Sequence, residues 1–160
     1  MKNMSYFQTS IGLIGIAEED DMITNLWFQI ERKPNDAVEN RTDLLIEAST
    51  QLTEYLSGKR SMFSLPLAPV GTPFMFKVWE SLRAIPYGQT RSYGEIAKSI
   101  GAPGASRAVG MANNRNPISI FIPCHRVIGS NGKLVGYLGG LDLKERLLEL
   151  EKRNCRKTMD

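Results

Sequence analysis

The chain has 160 residues, enough for one ordinary domain or for a small domain joined to a second. Its 42% hydrophobic and 23% charged residues are those of a soluble globular protein, and no apolar run is long enough to span a bilayer. The net charge of +3 conceals an asymmetry: residues 1–70 balance at −4 and residues 71–160 at +7, so a polyanionic partner is expected for the second half, against a chance spread of charge over solvated faces.

Met1 to Ser10 lacks the charged-then-apolar layout of a signal segment, so a cytoplasmic protein is expected. Ser5–Thr9, Ile11–Ala17 and Ile23–Ile30 are short, apolar and partly β-branched, and they read as strands parted by Gly12 and by the acidic turn Glu18–Asp21. After the polar stretch Pro34–Asn40, residues Leu44, Leu45, Ala48, Leu52, Tyr55 and Leu56 recur at helical spacing until Ser57-Gly58. Phe63–Leu67 reads as one more extended piece. Ala68-Pro69-Val70-Gly71-Thr72-Pro73 resists helix and sheet alike and reads as a linker, giving domains 1–70 and 71–160.

Past the linker the pattern changes. Met75, Val78, Trp79, Leu82 and Ile85 line one helical face, which Pro86-Tyr87-Gly88 ends. Ser92 and Glu95 fit a capping box that opens a helix through Ile100. Gly101-Ala102-Pro103-Gly104 is a tight turn and Ala105–Asn113 a second helix, so the layout is helix-turn-helix, a corner many helical proteins also contain. Ile118–Ile122 reads as a strand. Val127-Ile128 and Leu134-Val135 flank Gly129-Ser130-Asn131-Gly132-Lys133 as a hairpin, or wing, and a last helix runs from Leu141 to about Lys152.

Chemistry centres on Pro123-Cys124-His125-Arg126, where the only histidine adjoins one of two cysteines. A thiolate is a strong nucleophile, and a nearby base or cation raises its population at neutral pH. Residues i and i+1 do not face each other on a helix or strand, so a relay through water suits Cys124 and His125 better than direct contact. A carboxylate on the other ring nitrogen would fix the tautomer, and Glu145 is a candidate. The competing reading is a buried cysteine beside a histidine satisfied by backbone. Cys155, among Lys152, Arg153, Arg156 and Lys157, reads as a surface thiol at a frayed end. Two cysteines and one histidine suggest neither a disulfide framework nor a zinc set, and no metal or other cofactor is expected.

Ile122-Pro123-Cys124-His125-Arg126-Val127 resembles the active-site motif of the O6-alkylguanine-DNA alkyltransferases, also called methylated-DNA–protein-cysteine methyltransferases. Tyr87 to Tyr93, Ser106 to Gly110, Asn116-Pro117, Gly136 to Gly140 and Lys144-Glu145 fall in the same order and spacing. The likeness is strong over about residues 71–152 and rests on layout before that. It implies a small ribonuclease-H-like α/β domain followed by a mainly α winged-helix domain that carries the site. It also implies roles. Cys124 accepts the alkyl group, with His125 as its base through water and Glu145 orienting the histidine. Asn116 braces the hinge, Tyr93 helps rotate and contact the flipped guanine, and Arg107 fills the gap left in the stack. Ala105, Ser106, Ala108 and Gly110 let that helix approach DNA closely. Val127 and Cys124 offer carbonyls to the base edge, and Tyr137, Leu138 and Gly139 form the pocket wall, with a backbone N–H for O6. The implied partner is double-stranded DNA carrying O6-alkylguanine, and O4-alkylthymine as well, bound by a monomer without sequence specificity and without a membrane. Flipping the base costs roughly a few kcal/mol, which an inserted side chain reduces. With no apparatus beside it to release the alkyl group, the protein is expected to act once. Leu138 stands where the family often has a small or polar residue, and Asn114 where it often has glycine; the first is expected to narrow the pocket. Two other readings are a lesion-sensing alkyltransferase-like protein, which lacks the cysteine, and a cysteine hydrolase, for which no third triad member is arguable.

Overall fold

The computed structural model describes residues 1–29 and 33–159, the last three of these by backbone alone. It divides into two compact units, Met1–Val70 with Pro117–Phe121 and Gly71–Asn116 with Ile122–Asp160. Among the described residues no helix is long and apolar enough to cross a membrane.

The first unit is a four-stranded sheet carrying one helix. Strands β1 (Lys2–Thr9), β2 (Gly12–Glu19) and β3 (Met22–Phe28) form an antiparallel meander, and β4 (Ala37–Glu39) pairs parallel to β1, giving the order β3-β2-β1-β4. The acidic turn between β2 and β3 has Asp20 and Asp21 both in the left-handed region (φ 53° and 60°). Two such residues match the twist of the flanking strands, and the short polar Asp side chain tolerates that conformation. Ile30, the expected end of β3, lies outside the described residues.

Helix α1 (Asp43–Leu56) starts at Thr42, whose side chain accepts the Leu45 N–H. It buries Leu45, Ala48, Leu52 and Tyr55, and the amide of Gln51 exchanges two hydrogen bonds with Ser64. The expected extended piece after α1 meets β3 at Leu67, where the Ile23 N–H donates to Pro66 O at 2.8 Å. Residues 118–122 do not form the expected strand: they make isolated bridges, Leu26 to Ile118 among them, and 117–121 group with the first unit rather than the second. The chain reverses there through Ile120, whose φ of 74° is costly for a β-branched residue and holds only because the surroundings fix it.

The second unit is helical. Helix α2 (Pro73–Arg83) opens with Thr72 as N-cap and proline in its first turn, and buries Val78, Trp79 and Leu82. A two-residue strand, β5 (Arg91–Ser92), leads into α3 (Tyr93–Ser99), where both halves of the capping box are present between Ser92 and Glu95. Gly101, at φ 77°, turns the chain into α4 (Ser106–Asn114), which buries Val109, Ala112 and Asn113. The indole N–H of Trp79 donates to Ala112 O at 2.9 Å and ties α2 to the end of α4. The expected hairpin is absent from the wing. Residues 129–133 close a turn through Gly129 N–H to Lys133 O, but Leu134-Val135 form no strand, and β6 (Val127–Ile128) pairs parallel with β5 instead. The last helix, α5, runs from Leu141 to Met159, well past Lys152.

Trp79→Phe keeps most of the ring but leaves a buried carbonyl one donor short. Urea unfolding is expected to show a loss of about 1–3 kcal/mol, whereas a change near zero would mean that packing alone joins α2 to α4.

Candidate active site

Ile122, Pro123 and Cys124 form an inverse γ-turn: Pro123 sits at φ −80°, ψ 65°, and the Cys124 N–H reaches Ile122 O at 2.8 Å. The proline ring presets that φ. Cys124–Arg126 then make a single 3₁₀ turn, all three residues buried. Two asparagines brace it. Asn116 donates to Ile122 O at 2.8 Å and closes the neck of the 117–121 excursion, while Asn113 reaches Cys124 O at 3.4 Å. The Val127 N–H also donates to Cys124 O. The Cys124 carbonyl, expected to face the base, thus already accepts from two groups of the protein.

The carboxylate on His125 is Glu151. Its Oε2 lies 2.7 Å from His125 Nε2, and both side chains are fully buried. Glu145 is corrected: it is exposed on α5. A step of six residues parts the two glutamates, which in a helix is about 9 Å of rise and about a third of a turn away from the same face. Glu151 receives three further donors: Arg126 Nε at 2.8 Å and Gly88 N at 3.0 Å on Oε1, and Arg126 Nη2 at 3.1 Å on Oε2. Arg126 completes its fork on Ile85 O at 2.8 Å and lies over the Tyr87 ring.

These contacts set the charges. Burial pushes Glu151 up, but the hydrogen bonds and charges of His125 and Arg126 outweigh it and hold the carboxyl at about 2. Burial lowers His125, against the pull of Glu151, so the ring is neutral near pH 7. A carboxylate accepts only, so the ring proton sits on Nε2 and Nδ1 is the basic nitrogen. Burial also lowers Lys144, to about 8, although the charge on Cys124 pulls it back up; its Nζ donates to Val135 O at 2.9 Å. Burial, and then Cys124, raise Tyr93, which therefore keeps its proton and donates to the same Val135 O at 3.1 Å. The thiol is thus within electrostatic reach of a buried lysine and a protonated tyrosine.

Of the expected site residues, Cys124, His125, Asn116 and Tyr93 all lie in the second unit around this turn. Val127 is buried at the start of β6, and Tyr137 to Gly139 lie in the loop before α5, with Leu138 exposed. On α4, Ser106, Arg107 and Ala108 are exposed, Ala105 is the N-cap, and Gly110 faces the Tyr93 ring, which a Cβ there would meet at an ordinary contact distance of 3.8 Å. Glu151, Arg126, Lys144, Gly88 and Asn113 were not foreseen. One signal existed: Lys144, Leu147 and Glu151 share one helical face, and charges on an apolar stripe mark buried ion pairs.

Fold and site define a helix-turn-helix unit with a buried cysteine beside a histidine–carboxylate pair, joined to a small α/β unit. Residues 73–153 match the family model of the 6-O-methylguanine DNA methyltransferase DNA binding domain, and residues 3–69 that of its ribonuclease-like domain. The chain is 53% identical over 149 residues to the methylated-DNA–protein-cysteine methyltransferase of Methanosarcina acetivorans, covering 91% of this chain and 95% of that one. It is 46% identical over 159 residues to the constitutive enzyme of that name from Bacillus subtilis, covering 93% and 96%. The structure is similar to that of Mycobacterium tuberculosis OGT in complex with DNA, with a TM-score of 0.90, 45% identity and coverage of 95% and 94%. The chain belongs to the methylated-DNA–protein-cysteine methyltransferase family.

Glu151→Gln weakens a buried ion pair at its centre and is expected to cost about 3–5 kcal/mol in unfolding free energy; exposed Glu145→Gln should stay within about 0.5 kcal/mol. Acid should act in two windows. His125 resists the proton that the unfolded chain binds near 6.5, so stability falls as pH drops below about 6.5. Glu151 resists protonation between the ordinary 4.5 and about 2, so stability continues to fall across that range. Urea midpoints measured from pH 8 to pH 3 check both, and a flat profile down to pH 5 would refute the neutral buried histidine.

Proposed function

We propose that this protein repairs DNA by moving the alkyl group of O6-alkylguanine, and of O4-alkylthymine, onto Cys124. The observation that carries this reading is the placement of Cys124 in a rigid 3₁₀ turn next to the His125–Glu151 pair, within the unit that holds the helix-turn-helix. The neutral ring, with its proton fixed on Nε2, offers Nδ1 as a base, and a bridging water carries the thiol proton to it. The thiolate sulfur attacks the alkyl carbon in line. The S–C bond forms as the C–O6 bond breaks, and the electron pair leaves with guanine, whose negative charge the Tyr93 O–H relieves. The Lys144 charge favours the thiolate before attack. The thioether product is stable, and none of the described residues placed beside Cys124 cleaves such a bond, so each molecule reacts once.

A base in the duplex stack must leave it to meet a buried thiol. Exposed Arg107 at the start of α4 fills the vacated space. Ala105, Ser106, Ala108 and Gly110 keep the helix surface low, so it approaches the groove with few base-edge contacts and little sequence preference. The N-terminus of α4 carries no side-chain cap, which leaves backbone N–H groups for a phosphate. Val127 and the 137–139 stretch line the base pocket, where Leu138 disfavours bulky alkyl groups. The protein acts as a monomer on double-stranded DNA. A protein that only senses lesions has no use for this thiol and its relay.

Incubation with an oligonucleotide containing O6-methylguanine, followed by intact-mass measurement, should add one methyl per protein on Cys124 and none in Cys124→Ala. Repeated turnover or an unmodified protein would sink the proposal. Arg107→Ala should slow repair of duplex while the reaction with free O6-methylguanine base is largely retained; equal losses on both would refute the role of Arg107 in the stack.

A further inference from the structure

The last turns of α5 and the turn between α2 and β5 meet behind the histidine–carboxylate pair, and no step above uses that junction. Gly88 stands at φ 81°, a conformation that turns its N–H onto Glu151 Oε1 at 3.0 Å. The preceding Tyr87 is held twice from α5. Asn154 Nδ2 donates to its hydroxyl at 2.9 Å, and the Cys155 thiol donates to its carbonyl at 3.5 Å. Cys155 Sγ also fills the space beside Gly88 so closely that a Cβ on that glycine would lie 2.2 Å from it. From the other side the Arg126 guanidinium lies over the Tyr87 ring and holds Ile85 O. Cys155 is therefore no loose surface thiol, and Asn154 and Cys155 lie beyond the segment the family model matches, which ends at 153.

We infer that Tyr87 and Gly88, held by Asn154 and Cys155, are positioning residues of the thiol's proton relay, because the Gly88 N–H fixes the Glu151 carboxylate that orients His125. Without that donor the carboxylate is held by Arg126 and His125 only, and its charge is less compensated. The His125 proton is then held harder, and the imidazolium becomes easier to form. The groups that act on this pair are Arg126 from its own turn, Lys144 from α5 and Tyr87 from the facing turn, and Cys155 acts in turn on Tyr87. This inference rests on the alkyl-transfer reading above.

The test is the single-turnover rate of methyl transfer from an O6-methylguanine oligonucleotide, measured from pH 5 to pH 9, for wild type, Tyr87→Phe, Asn154→Ala, the double variant and Glu151→Gln. Tyr87→Phe removes one oxygen and preserves the ring over which Arg126 lies. Each single change is expected to slow transfer by about three- to tenfold, the range of one hydrogen bond, and to move the acid limb of the profile upward. The double variant is expected to match the singles, since both delete one contact. Unchanged rates, or losses that multiply with no movement of the acid limb, overturn the inference. Transfer by wild type with a large loss in Glu151→Gln would leave the alkyl-transfer reading standing in that case; no transfer by wild type would remove both.

Discussion

Glu151 is a carboxylate out of reach of water, and four donors from two other parts of the chain converge on it. An ion taken out of water loses several kcal/mol of hydration, which only close partners offset. Here the partners are the histidine beside Cys124, the arginine that follows it and a backbone N–H of a distant turn. The same contacts that make burial tolerable therefore fix the tautomer of His125, the direction of Arg126 and the path of the chain at Gly88. Stability and chemistry share one set of bonds in this unit.

Much of the architecture was legible because it rests on short-range rules. Thr42 and Thr72 cap helices, Ser92 and Glu95 form a capping box, and Gly101 turns α3 into α4. Where the outcome depended on distant partners, the sequence misled. Ile118–Ile122 has the composition of a strand, but a strand needs a free edge in register, and β3 offers it only one bridge. Leu134-Val135 looks like the return arm of a hairpin. Its Val135 carbonyl is instead taken by Lys144 and Tyr93, and β6 finds its partner in β5. The glutamate was misplaced for a related reason. Adjacency in sequence to Lys144 points to residue 145, while helical phase selects 151.

The thiol itself illustrates how little residue type decides. Free buried cysteine is common and inert. What separates Cys124 from that background is a local geometry: a proline-set γ-turn, a 3₁₀ turn, two asparagine braces and a neutral histidine with its proton fixed. Only the proline and the histidine are adjacent in sequence; the rest had to be folded into place.

Helix α5 rises about 1.5 Å and turns about 100° with each residue. It carries Lys144 near one end of the site and Glu151 near the other, on a single face with Leu147 between them. The spacing of those two charges is thus a fixed length and a fixed angle at once. Many substitutions between them are compatible with that geometry, whereas loss or gain of a single residue swings the carboxylate away from the histidine by more than a quarter of a turn. The stretch from 144 to 151 works as a ruler: its residue count is constrained more tightly than its composition.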